Sequence, residues 1–198
     1  MNLVRNTLIH TRSLCFAAGV FLCLNAARAQ EARETGHGTG FKGAVGLQLY
    51  SLRAQLGKDI PGSLRKVHDF GIRYVELAGT YGMTPEKFKK QLDSAGLVPV
   101  SAHFSYEQFR DNIGEVIHQA RVFGLRYVGC AWIPHKDTLE ENACREAASV
   151  FNRAGAALAA AGMKFFYHTH GYEFRPVRGG TLFDMLISGT NPDSVCFE

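Results

Sequence analysis

Phe70-Gly71-Ile72-Arg73-Tyr74-Val75 and Phe123-Gly124-Leu125-Arg126-Tyr127-Val128 are nearly the same phrase, and its repetition sets the fold. Each copy ends a helical pattern in glycine and opens an apolar run one or two residues later. Gly96-Leu97-Val98-Pro99-Val100 and Gly162-Met163-Lys164-Phe165-Phe166 repeat it in other residues. Glycine accepts the left-handed backbone that closes a helix, so a strand follows after a short loop. The copies recur about 25 to 40 residues apart, the length of a strand, a helix and their connections.

The helices between the copies are legible too. Thr84-Pro85 is a cap with proline at the first helical position, and Phe88, Leu92 and Ala95 follow as an apolar stripe. Phe109, Ile113, Val116, Ile117 and Ala120 make the next stripe. An alanine-rich helix is expected over Leu139 to Ala161, with Val150, Phe151, Ala154 and Leu158 facing inward. The strands are mostly apolar, as when both faces are covered. With Val45–Tyr50 as the first and Val195–Glu198 as the last, there are about six, all expected to be parallel.

Such an α/β chain is either a barrel or an open doubly wound sheet. No Gly-x-Gly-x-x-Gly follows the first strand, which argues against a dinucleotide-binding sheet. Polar residues gather at strand ends: Gln48 and Tyr50, Glu76, His103, Trp132, then His168 and His170. That distribution suits a TIM barrel, whose active site draws on several strand ends at one face. A complete barrel has eight strands in about 250 residues. The expectation is therefore an incomplete (β/α)8 TIM barrel over residues 44–198, with about six of eight strands. The turn Asn191-Pro192-Asp193-Ser194 introduces a last strand that stops at once, so the chain reads as truncated.

The beginning reads as an address. Arg5 and Arg12 precede an apolar segment from Leu14 to Leu24, and Ala27-Arg28-Ala29 offers a small-x-small cleavage site. The segment is shorter than the roughly twenty residues a membrane span needs. Residues 1–29 are expected to be a signal peptide cleaved after Ala29, and 30–43 a flexible, glycine-containing lead-in. The mature protein would be secreted or periplasmic, with no membrane span. The formal charge of +4 falls to about +1 once Arg5, Arg12 and Arg28 leave, which is no nucleic-acid footprint. Cys130, Cys144 and Cys196 remain, an odd number without framework spacing. Cys130 and Cys196, in apolar strand runs, are expected to be buried free thiols.

Tyr167-His168-Thr169-His170-Gly171-Tyr172-Glu173 closes the fifth strand. Alternation turns His168 and His170 the same way, with Glu173 on the loop beyond. Two imidazoles and a carboxylate there suit a divalent metal such as Zn, Mn, Co or Fe. The same residues also fit a pair of hydrogen-bonded structural histidines. His103 ends the third strand, either facing a sugar hydroxyl or satisfied structurally. Trp132, the only tryptophan, stacks on a sugar ring or simply packs. Glu76 faces the mouth or braces Arg73 or another base. Gln48 and Tyr50 share a face, which is placed toward the mouth. His37, His118 and His135 are taken as surface residues.

At Val45-Gly46-Leu47-Gln48-Leu49-Tyr50-Ser51-Leu52, at Tyr74-Val75-Glu76 and at Tyr167 to Phe174, the chain resembles the xylose-isomerase-like TIM barrels, the sugar phosphate isomerase/epimerase superfamily. The resemblance covers about Gly43 to Glu198. It implies one divalent ion, most often Mn, with Zn, Co, Fe or Mg as alternatives. It also implies a small-molecule sugar or keto-sugar substrate and proton movement next to its carbonyl, through an enediolate. His168 stands where many relatives carry a glutamate ligand, so Glu173 is expected to supply the carboxylate. By resemblance the next ligand is an aspartate shortly after Glu198, followed by a histidine and a glutamate.

The resulting expectation is a sugar isomerase or epimerase in a full-length parent, with the truncated chain lacking part of the metal site and weakly active at most. His168 and Glu173 are metal ligands, His170 and Glu173 catalytic groups, and His103, Glu76, Trp132, Gln48 and Tyr50 substrate contacts. A keto-sugar lyase and a non-catalytic carbohydrate-binding barrel remain alternatives. A metal-dependent DNA-repair endonuclease of the same fold is the third class, disfavoured by export and by the near-neutral mature charge.

Overall fold

The computed structural model describes residue 40 and residues 43–198. The expected leader and nearly all of the lead-in lie outside the described residues. The expected strands form as one parallel sheet: β1 (Gly46–Gln48), β2 (Tyr74–Leu77), β3 (Val98–Phe104), β4 (Tyr127–Cys130), β5 (Lys164–Tyr167) and β8 (Val195–Phe197). They pair in chain order, leaving β1 and β8 at the two edges. Between β5 and β8 runs a small antiparallel hairpin, β6 (Pro176–Val177) with β7 (Gly180–Thr181).

The connecting helices are α1 (Arg53–Leu56), α2 (Ile60–Asp69), α3 (Pro85–Ser94), α4 (Tyr106–Asp111), α5 (Ile113–Phe123), α6 (Glu141–Ala160) and α7 (Leu182–Gly189). Gly71 and Gly124, in the two near-identical phrases, have φ of 75° and 70°, and Gly96 and Gly162 are also left-handed. Thr84 caps α3 through its hydroxyl, which accepts from the Lys87 amide. The stripe from Phe109 to Ala120 is split between α4 and α5, because Asn112 leaves the helical region at φ −145°, ψ 51°. No helix among the described residues is long and apolar enough to cross a membrane.

The two faces of the sheet differ in chemistry. Val75, Leu77, Val128, Cys130, Phe165 and Tyr167 are fully buried beneath the helical layer. There Phe151 of α6 lies against both Phe165 and Tyr167, at 5.0 Å between ring centroids. Cys130 and Cys144 are buried free thiols, whereas Cys196 is only half-buried. Burial pushes the Cys130 thiol up to about 12.

The opposite face carries Gln48, Glu76, Ser101, His103, Gly129, Phe166 and, just past β5, His168. Register puts Gln48 beside Glu76 and Glu76 beside Ser101. Further along, His103 lies beside Gly129, and Gly129 beside Phe166. A Cβ at Gly129 would overlap the Phe166 ring, so glycine makes room for a phenyl group that reaches to 5.4 Å from the His103 ring.

The sheet is strongly curled. His103 and Glu198 belong to β3 and the end of β8, three strand spacings apart, which in a flat sheet is about 14 Å. Their side-chain atoms nevertheless stand 3.6 Å apart. The face bearing the polar residues is thus the concave interior of a partial barrel, as expected.

One local expectation fails here. The alternation reading carried the first strand through Tyr50, but β1 ends at Gln48 and Leu49–Leu52 form a 3-10 turn. Period-two logic therefore stops before Tyr50, whose ring is half-exposed beneath the Arg53 guanidinium, 4.3 Å from its centroid.

Candidate functional site

The centre of the concave face is a buried carboxylate. Glu76 accepts one hydrogen bond from Gln48 Nε2 and another from Ser101 Oγ, both 2.6 Å. Parallel register alone sets this arrangement, since the three residues are cross-strand neighbours on one face. His103 stands one pleat above Ser101, with its Nε2 3.3 Å from Glu76 Oε1.

That nitrogen is buried and makes no hydrogen bond of acceptable geometry. Orphaned buried polar atoms are rare in folded proteins, because each forfeits its hydration. Burial lowers the His103 pKa, partly opposed by the Glu76 charge, so the neutral, lone-pair-bearing imidazole is favoured.

His168 and Glu198 complete a cluster around this atom. His168 Nδ1 lies 2.9 Å from Glu198 Oε2, and the His103 and His168 rings are 5.1 Å apart. Main-chain bonds hold Glu198 in place: its amide donates to the Tyr167 carbonyl, and its carbonyl accepts from the Thr169 amide and hydroxyl. One ligand atom from each of His103, His168 and Glu198 falls within 4.8 Å of the others. Two atoms each about 2.1 Å from one ion lie about 3 to 3.5 Å apart, close to the separations seen here. The donor set and the unpaired Nε2 both fit a divalent cation.

His170 is close by, its ring 5.1 Å from that of His168, but Glu173 is not brought to the cluster. Its side chain is fully buried behind the loop. Its carboxylate accepts from the Tyr167 hydroxyl and, at 2.9 Å, from the His170 amide. Tyr167 faces the helical layer, and the Glu173 carboxylate that accepts from its hydroxyl is held on that side of the strand. The carboxylate joins strand end, loop and the 3-10 turn Tyr172–Phe174 into one unit.

Trp132, on the loop after β4, is half-exposed at the edge of the site. His135 is no free surface histidine, since it stacks on Trp132 at 4.3 Å. His118 is exposed on α5, and His37 lies outside the described residues. Of the expected site residues, the fold gathers Gln48, Glu76, His103, His168 and His170, sets Trp132 at the edge, and leaves Glu173 behind the wall. Tyr50 lies on the turn after β1.

Sequence reasoning did not single out Ser101, His135 or Glu198. Glu198 had a usable signal, because it follows Cys196 at a spacing of two in an identified strand. Ser101 had the same relation to His103.

No family model matches the sequence, and no curated protein matches it. Solved structures do. A sugar phosphate isomerase/epimerase from Parabacteroides distasonis superposes with a TM-score of 0.62 at 24% identity, over 81% of this chain and 69% of that one. The fold is a partial xylose-isomerase-like TIM barrel. A family 2 AP endonuclease from Brucella melitensis shares this barrel, with a TM-score of 0.59 at 18% identity over 77% of this chain and 66% of its own. A xylose isomerase-like TIM barrel protein from Mycobacterium smegmatis, solved in complex with magnesium, gives 0.56 at 13% identity over 72% and 57%. The chain thus spans between 57% and 69% of the length of these three barrels.

Proposed function

We propose that this barrel holds one divalent cation through His103, His168 and Glu198 and acts on a small-molecule sugar or keto-sugar as an isomerase or epimerase. The observation that carries the reading is the buried, unpaired His103 Nε2, aimed between two carboxylates and beside a second imidazole. Mn fits the mixed imidazole and carboxylate donors, as do Zn, Co and Fe, with Mg also admitted by the magnesium-bound relative. Bound there, the ion supplies Lewis-acid polarisation of a carbonyl.

The chain's own residues supply the rest. Glu76, oriented by Gln48 and Ser101, presents a fixed acceptor to a sugar hydroxyl. His170 is the group placed to take and return a carbon-bound proton, being partly exposed and next to His168. Glu173 is assigned a positioning part, through its bond to the His170 amide. Tyr50 and Trp132 border the mouth as substrate contacts. The leader signals from Arg5 to Ala29 support an exported protein, which a mature amino terminus at Gln30 in mass spectrometry would test.

The activity test is deuterium incorporation next to the carbonyl of ketoses, followed by NMR with Mn²⁺-loaded and chelated full chain. Metal-dependent exchange supports an isomerase or epimerase. Absence of metal uptake ends the proposal, and sugar binding that survives chelation without exchange favours a non-catalytic carbohydrate-binding barrel.

A further inference from the structure

A second wall of the mouth is built of rings. Trp132 stacks on His135 with planes 20° apart, and His170 stacks on Tyr172 at 5.4 Å and 14°. The two pairs meet edge to face, Trp132 with Tyr172 at 5.2 Å and with His170 at 6.0 Å. His135 Nδ1 is 2.7 Å from the Ile133 carbonyl, so that nitrogen donates and Nε2 is left as an acceptor. The Tyr172 hydroxyl is tied to that of Tyr167 at 3.1 Å. These contacts immobilise the rings without covering them, since Trp132 keeps 48% of its surface exposed and the His170 side chain 38%.

The shelf is continuous with the cation cluster. The His168 ring is 5.1 Å from His103 on one side and 5.1 Å from His170 on the other. We infer that this shelf is a subsite for a second ring joined to the sugar held at the cluster, so that the substrate class is a glycoside. The inference rests on the sugar reading above.

Its chemistry is general. A pyranose has a C–H face and a rim of hydroxyls, and an aryl group has a flat π face; both match a stacking surface with polar edges. The indole N–H of Trp132, His135 Nε2 and the His170 imidazole supply those edges. Rings already locked by their neighbours lose little conformational freedom on binding.

The test is calorimetric titration of the full chain in Mn²⁺ with glucose, cellobiose and 4-nitrophenyl β-glucoside, and of the chain with Mn²⁺ alone. At least one glycoside is expected to bind about tenfold more tightly than glucose. Preference for cellobiose marks a second sugar, and preference for the nitrophenyl compound an aryl group. Trp132→Ala should erase the preference and leave Mn²⁺ affinity within about twofold, because the indole is no ligand. Trp132→Phe should retain most of it, and answers the question if the alanine variant does not fold. Equal affinities for all three compounds, a preference that persists in a folded Trp132→Ala variant, or one that Trp132→Phe abolishes, overturn the subsite. A glycoside preference in a chain that takes up no Mn²⁺ keeps the shelf and overturns the cation site instead.

Discussion

The Tyr167 hydroxyl donates a hydrogen bond to the Glu173 carboxylate, which has no exposed surface. The pair stands behind the loop that carries His170, and the His170 amide is the carboxylate's other donor. Glu173→Ala would take the carboxylate acceptor from both donors, leaving the Tyr167 hydroxyl only that of Tyr172, at a cost of about 3 kcal/mol in urea unfolding. Glu173→Gln keeps the shape and one acceptor. Its affinity for Mn²⁺ should be unchanged in calorimetry, whereas a loss above about tenfold would return Glu173 to the ligand set.

Alkaline pH should loosen the same wall. Burial, reinforced by the bond to Glu173, raises the Tyr167 pKa above its ordinary 10.0. Below pH 10 both folded and unfolded tyrosine carry the proton, and the stabilisation is complete. As pH climbs past 10 only the unfolded chain releases it, so stability falls. Tyr167→Phe should flatten this decline in unfolding free energy; an unchanged slope would show that Tyr167 does not contribute to it.

The cation site makes a sharper demand. His103→Ala and His168→Ala should each weaken Mn²⁺ or Zn²⁺ binding at least about 100-fold by calorimetry, since each removes a donor. His118→Ala, at an exposed position on α5, serves as the control and should bind normally. Unaltered affinity in the His103 variant would refute the assignment of its Nε2.

Gly129 faces Phe166 so closely that a methyl group has no room. Gly129→Ala should cost about 1 to 3 kcal/mol through overpacking. Most of that cost should vanish in a Phe166→Ala background, where the ring no longer competes for the space. A double-mutant cycle by urea unfolding reads the coupling, and additive effects would contradict the close approach.

Much of the fold was legible because glycine and apolar runs are local signals. Gly71, Gly96, Gly124 and Gly162 each close a helix in left-handed geometry, and strands β2 to β5 follow them. Local rules erred where the chain departs from regular periodicity. The strand ends at Gln48 rather than Tyr50, and Asn112 divides one expected helical stripe into two helices. Helices α2 and α7 and the β6–β7 hairpin were not separately identified.

Of the candidate site, alternation along single strands showed which side chains share the inner face, but not which atoms meet. His103 and His168 were both noticed, yet as a substrate contact and a metal ligand on separate strands. Glu173 is the carboxylate that both the spacing from His170 and the resemblance point to, yet its nearness along the chain does not bring it to the cluster.

The repeated glycine-to-strand phrase, by itself, determined a parallel α/β architecture with polar strand ends, since helix closure and side-chain alternation are properties of neighbouring residues. Tertiary structure alone decided that Glu198, and not Glu173, joins the two imidazoles. Curling of the sheet brings β8 across to β3, while the Tyr172–Phe174 turn sends Glu173 behind the strand to satisfy Tyr167. Both outcomes depend on contacts between residues far apart in the chain or on a turn whose direction follows from packing, which no local spacing encodes.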